Sequence, residues 1–66
     1  MILNYFERLG IIVRLGAADE QALRDYYCAS VKRYWHSFRP WIDEMRNEFQ
    51  DSALFSETEK LVTRWN

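Results

Sequence analysis

One cysteine, one histidine, one proline and two glycines are all that these 66 residues contain of each type. The lone Cys28 excludes an internal disulfide framework and any multi-cysteine zinc site, and it points to a reducing, cytoplasmic setting. The only glycines are Gly10 and Gly16, so no glycine-rich phosphate loop can be built. No apolar run approaches the roughly 20 residues that a membrane span requires. The start, Met1-Ile2-Leu3, meets Asn4, Glu7 and Arg8 at once, so no signal peptide is expected. Basic charge is not in excess either: the net charge is −1 and the pI near 5.7, against the usual composition of a dedicated nucleic-acid binder.

Aromatic side chains are what the chain has in abundance. They make up 17% of the residues. A chain this short buries only about 60% of the surface that its unfolded form exposes, so it needs a rich core, a partner subunit, or both. Length alone allows a single domain, residues 1–66.

Apolar spacing sorts the chain into three helices. Ile2, Leu3, Phe6, Leu9, Gly10 and Val13 fall within an arc of about 120° at 100° per residue, predicting a packed helix from Leu3 to Leu15. Gly16 supplies a left-handed residue to end it, and Asp19 is the expected N-cap of the next helix, with Glu20 adding negative charge at its positive end. The second stripe holds Leu23, Tyr27, Ser30, Val31, Tyr34, Trp35, Phe38, Trp41, Ile42, Met45 and Phe49 within about 140°. Its phase does not slip at Pro40. A loop would restart the helix at an arbitrary rotation, whereas a kink keeps the register, so one long helix is predicted from Asp19 to Gln50, kinked near Pro40. The opposing consideration is that Arg39, preceding proline, is biased away from helical geometry. Leu54, Phe55, Thr58, Leu61, Val62 and Trp65 predict a last helix from Ser52 to Trp65, with a second possible start at Ser56, where Ser56-Glu57-Thr58-Glu59 fits a capping box. The expected fold is all-α: a three-helix, bundle-like domain in which two shorter helices pack against one long central helix.

Several short stretches also carry a family resemblance. They are Asn4-Tyr5-Phe6-Glu7, Gly10 to Gly16, Asp19-Glu20, Tyr34-Trp35, Phe38-Arg39-Pro40-Trp41-Ile42, and Leu61 with Arg64-Trp65. In these the chain resembles a group of bacterial and phage proteins catalogued only as a domain of unknown function. The resemblance covers nearly the whole chain, implies a helical fold, and brings no catalytic residue with it. Many such proteins look longer, with N-terminal or membrane-anchoring additions that these 66 residues do not include. Small size together with this resemblance suits a phage-encoded inhibitor of a bacterial defence system, such as an anti-CRISPR.

Cys28 and His36 lie eight positions apart, about 12 Å along a helix and about 80° apart in rotation, too far for a thiolate–imidazole pair. No carboxylate falls on a predicted apolar face, where burial would raise its pKa for acid–base work. No spacing of His36 with carboxylates suits a metal. The expectation is a non-enzymatic protein with no catalytic residue, cofactor, metal, small-molecule substrate or concave polar pocket. Lys32, His36 and Arg39 share one face with Arg33 beside them, the alternative site for nucleic acid or another polyanion. Asp25 and Asp43 bracket that face, and Arg39 is placed to pair with Asp43 four residues on. The aromatic stripe Tyr27, Tyr34, Trp35, Phe38 and Trp41 is expected to be core, with Trp35 and Ile42 at its partly exposed edge.

The first helix is the oddity. Beyond its inner face it carries Tyr5, Ile11, Ile12 and Leu15 on other sides. A helix apolar nearly all round is normally buried all round, and a domain of this size cannot cover it. Either Ile11 and Leu15 fold under the long helix, or they meet another chain. The partner-binding residues expected are therefore Tyr5, Ile11, Ile12 and Leu15, with Trp35 at the edge. A homodimer is the simplest occupant, because one self-complementary patch suffices.

Overall fold

The computed structural model describes residues 2–66 and contains α1 (Ile2–Arg14), α2 (Glu20–Glu48) and α3 (Ser56–Trp65). Among the described residues there is no strand. The fold is all-α and bundle-like, as the three apolar stripes predict.

The first joint follows from Gly16. Its φ of 68° is the left-handed conformation that glycine adopts without steric cost. Gly16 N–H then donates to Val13 O at 3.1 Å and Ala17 N–H to Ile12 O at 3.1 Å, the paired bonds of a Schellman ending. Three residues later Asp19 Oδ1 accepts from the backbone N–H of Gln21 (3.1 Å) and Ala22 (3.4 Å), capping α2.

α2 runs unbroken through Pro40. The proline ring deprives the His36 carbonyl of its helical donor. Both residues are exposed, so water can satisfy that oxygen. A straight helix of 29 residues would extend about 42 Å, whereas the longest dimension of the molecule is 36 Å, so α2 does not lie straight along the long axis.

Three expectations are corrected. First, α3 starts at Ser56, the second of the two expected starts, and not at Ser52. Phe55 stands at φ 59°, a left-handed residue through which no α-helix continues. The segment before it is held as turns by Leu54 N–H to Asp51 O (3.4 Å), Ser56 N–H to Ala53 O (3.0 Å) and Ala53 N–H to Asp51 Oδ1 (3.0 Å). Second, the short helices do not each lie mainly on the long one: α1 packs chiefly against α3, and α1 and α2 meet least. Gly10 is the reason, since a Cβ placed there would stand 2.7 Å from the Glu57 carbonyl oxygen, and only a bare backbone admits that crossing. Third, the buried line of α2 is rotated by about 50° from the centre of its apolar arc. Trp35 and Ile42, expected at an exposed edge, are 8% and 0% exposed, whereas Tyr34 (38%), Trp41 (37%) and Phe49 (65%) face outward. The core is Leu3, Phe6, Leu9 and Val13 of α1, Val31, Trp35 and Ile42 of α2, and Leu61 and Trp65 of α3. Ile2, placed on the inner face by its spacing, is 38% exposed at the start of α1.

Candidate interaction surface

Burying five residues on one side of α1 fixes what the other side presents. Tyr5 (47% exposed), Ile11 (37%), Ile12 (40%) and Leu15 (67%) all remain open to solvent. Ile11 and Leu15 do not fold under α2. Ile12 and Leu15 are three positions apart, Ile11 and Leu15 four, and Tyr5 and Ile12 seven, so their side chains lie along one flank of α1 and the residue that follows it. Arg8, exposed as well, sits among them.

Tyr5 also begins an aromatic seam. Its phenol oxygen lies 2.7 Å from that of Tyr27, and the two hydroxyls share a hydrogen bond that pushes the Tyr27 hydroxyl pKa up. Ring contacts then pass from Tyr26 through Tyr27, Tyr5, Phe6, Tyr34, Phe38 and Trp41 to Phe55, with neighbouring centroids 4.7–6.4 Å apart. Offset, tilted and edge-on ring pairs at such separations are attractive. The seam joins α1 and α2 to the residue that precedes α3, and its outward members Tyr26, Tyr34 and Trp41 lengthen the apolar surface begun on α1. The expectation that this stripe is plain core is therefore corrected: its flank is surface.

Trp35 is not part of that surface. The Arg39 and Arg46 guanidiniums lie 5.3 and 5.7 Å from its ring centroid, cation–π contacts that cover the indole. Both arginines reach Glu59 of α3, Arg46 at 3.0 Å and Arg39 at 3.7 Å, while Arg46 Nε donates to the Leu54 carbonyl at 2.8 Å. Trp35 thus anchors α3 to α2.

The start of α3 is capped from outside. Phe55 gives no side-chain hydrogen bond, and Ser56 is the first helical residue, so the expected capping box does not form. The Glu7 carboxylate of α1 replaces it: Oε2 accepts from Glu57 N–H (3.3 Å), and Oε1 from Thr58 N–H (2.6 Å) and Thr58 Oγ1 (2.7 Å). Amides that a helix start leaves unpaired are satisfied in this way, and the negative charge suits the helix's positive end. Glu7 lies on no apolar face of α1, and the spacing of that helix carries no sign of its role. The far end of α3 is fixed by Glu20, which accepts from Arg64 Nε and Nη2 (both 2.7 Å) and from Trp65 Nε1 (3.0 Å). Those bonds hold its carboxyl at about 2, well below the ordinary 4.5. Start meets end here, and Arg46 meets Glu59, so α2 and α3 run antiparallel.

The polyanion stripe fares differently residue by residue. Arg33 and His36 are exposed and Lys32 half-buried. Arg39 is drawn away into its pair with Asp43 (2.9 Å), its Glu59 contact and the Trp35 ring. Cys28 is half-buried, with Sγ 3.8 Å from the Trp65 carbonyl oxygen, and it forms no pair with the exposed His36. Among the described residues, no group of three or more His, Cys, Asp or Glu is placed to hold a metal, and no helix is long and apolar enough to cross a membrane. A small hollow lies between α1 and α3. Arg14, Glu57, Lys60 and Arg64 surround it, and the buried Gly10, Val13 and Leu61 lie beneath.

The residues that carried the family resemblance are thereby given structural work. Gly10 and Gly16 make the crossing and the turn, Trp35 and Arg39 belong to the α2–α3 anchor, and Glu20, Arg64 and Trp65 form the terminal lock. No curated protein and no solved structure matches the chain. A family model does match, over residues 1–65, and the chain belongs to that family, described as Domain of unknown function (DUF4760).

Proposed function

We propose that this protein acts by binding protein, without catalysis, through the outer face of α1, and that its first partner is a second copy of itself. One observation carries the reading: Tyr5, Ile11, Ile12 and Leu15 stay exposed on a helix whose opposite face is fully engaged. Exposed apolar surface of this kind, here set around Arg8, marks interaction sites. A standard interface takes about 800 Å² from each partner, and the whole chain exposes 4566 Å². The α1 face, continued by Tyr26, Tyr34 and Trp41, is the apolar region from which such a share can be drawn. Trp35, being covered, is not assigned to it. An inhibitor of a bacterial defence system, suggested by size and family resemblance, would use the same face against its target. The lone, unpaired cysteine favours a reducing, cytoplasmic setting for either role.

Ile12→Asp tests the proposal. Light scattering at micromolar concentration should show the wild type at twice its 8.1 kDa chain mass and the variant at the single-chain mass, with helical circular dichroism retained. A wild type that already runs at 8.1 kDa removes the homodimer. Polyanion binding through Lys32, Arg33, His36 and Arg39 is the weaker reading, because Arg39 is already engaged. It requires a complex with DNA or RNA that weakens steeply with salt, and an empty low-salt gel shift removes it.

A further inference from the structure

Tyr5, Arg8, Ile12 and Leu15 follow one another at spacings of three, four and three. They fall within an arc of about 80° at 100° per residue, and all four are exposed. Leu15 stands just past the end of α1, but its N–H donates to Ile11 O at 3.0 Å and so continues the last turn. This is the spacing of a row of side chains that one helix lays along another. The row is symmetric in position as well: Tyr5 and Leu15 are equally far from Gly10 along the chain, and so are Arg8 and Ile12. A second α1 can therefore lie along it in register in either direction.

Charge separates the two directions. A parallel pair sets Arg8 against Arg8 of the partner subunit, like charge on like in the middle of an apolar contact. An antiparallel pair sets it against the partner's Ile12, along which the arginine stem lies with its guanidinium at the edge. Ile12 belongs to the last turn of α1, so each guanidinium then meets the negative end of the other helix. The acids near that end favour the same direction. Glu7 is engaged by the start of α3, and Glu20 by Arg64 and Trp65. Asp19 is exposed and caps α2 through Oδ1 alone, which leaves its second oxygen for a cation. Neither Arg8 nor Asp19 joins an ion pair among the described residues. Resting on the α1 face as the self-contact, we propose that two copies pair with their α1 helices antiparallel, about a two-fold axis at the level of Gly10. Tyr5 of each copy packs on the partner's Leu15, and Arg8 lies on the partner's Ile12 and points toward the partner's Asp19.

Paramagnetic broadening between chains reads the direction. A nitroxide is attached at Ala18→Cys, exposed and outside the row, in a full chain that also carries Cys28→Ser. This chain is mixed with unlabelled-at-sulfur, nitrogen-15-labelled wild type. Antiparallel helices place the nitroxide beside the start of the other α1, so the wild-type amides of residues 3–6 should broaden most. Broadening strongest at residues 15–21 means parallel helices and overturns the proposal while leaving a homodimer on α1. Broadening confined to α2 or α3 overturns it too, and no broadening in the wild-type chain removes the homodimer itself. A second measurement needs no cysteine variant. Arg8→Glu should weaken self-association by about fivefold or more, because a negative charge then meets the negative end of the other helix. Arg8 is exposed and joins no ion pair, so the change leaves the fold intact, which circular dichroism checks. An Arg8→Glu dimer as tight as the wild type overturns the proposal. So does a mixed dimer of wild type and Arg8→Glu tighter than the wild-type dimer, the mark of Arg8 facing its own copy.

Discussion

Glu20 does more for this fold than its place in the first turn of α2 suggests. As a first-turn acid it complements the helix's positive end. In the folded chain it also takes two hydrogen bonds from Arg64 and one from Trp65, joining the start of α2 to the last residues of α3. Its pKa falls from 4.5 to about 2, first through the Arg64 bonds and then through Trp65. A depressed carboxylate pKa means stability that is fully present above the unfolded value and lost as pH falls through the folded one. The wild type should therefore lose stability between about pH 4.5 and 2, and Glu20→Gln should lose visibly less across that window while melting lower at pH 7. Thermal melts across that range check this; parallel acid profiles for the two proteins would show that the lock contributes nothing. Glu20 was legible as a helix-start acid and no further, because its partners lie 44 and 45 positions away and only the docking of α3 brings them near. Glu7 was hidden for the same reason: a cap supplied by another helix leaves no local pattern.

The helices themselves were legible wherever one residue sets the local geometry. Gly16 and Asp19 mark the first joint because positive φ and side-chain capping are properties of single residue types. The unbroken register past Pro40 was also readable, since rotational phase survives a missing hydrogen bond. The start of α3 was legible only as one of two, Ser52 or Ser56, because the choice is made by Phe55, which adopts a left-handed conformation that its residue type disfavours. The buried line of α2 was not legible. An apolar arc weighs Tyr34 and Trp41 like Val31 and Ile42, but α1 and α3 crowd to one side and leave the aromatic flank uncovered. The crossing of α1 over α3 decides that side, and Gly10 permits the crossing. Gly10→Ala sets a Cβ 2.7 Å from backbone, which cannot swing away as a flexible side chain can. It should cost about 1–3 kcal/mol, and so lower the melting temperature by several degrees for a domain of this size. An alanine variant that melts at or above the wild type would mean that α1 and α3 do not cross at Gly10.

At the scale of the molecule, two kinds of surface divide the work. The α2–α3 side is closed by ion pairs and cation–π contacts around Trp35 and by the Glu20 lock. The α1 side leaves Tyr5, Ile11, Ile12 and Leu15 open and runs into the outward rings of the aromatic seam. The excess of apolar residues on α1 was visible in the sequence, and four of the five residues assigned to the contact are exposed. Trp35 is not, because charge from two arginines folds over its ring. A 66-residue chain that leaves so much apolar surface open is itself an argument for a second copy, since small domains bury too little alone. An isotope-filtered nuclear Overhauser experiment on an equal mixture of carbon-13-labelled and unlabelled chains tests that claim most directly. Contacts from the methyl groups of Ile11, Ile12 and Leu15 in one copy to the Tyr5 ring of the other are the predicted result. Filtered spectra with no such contacts, or with contacts confined to the α2–α3 side, would contradict it.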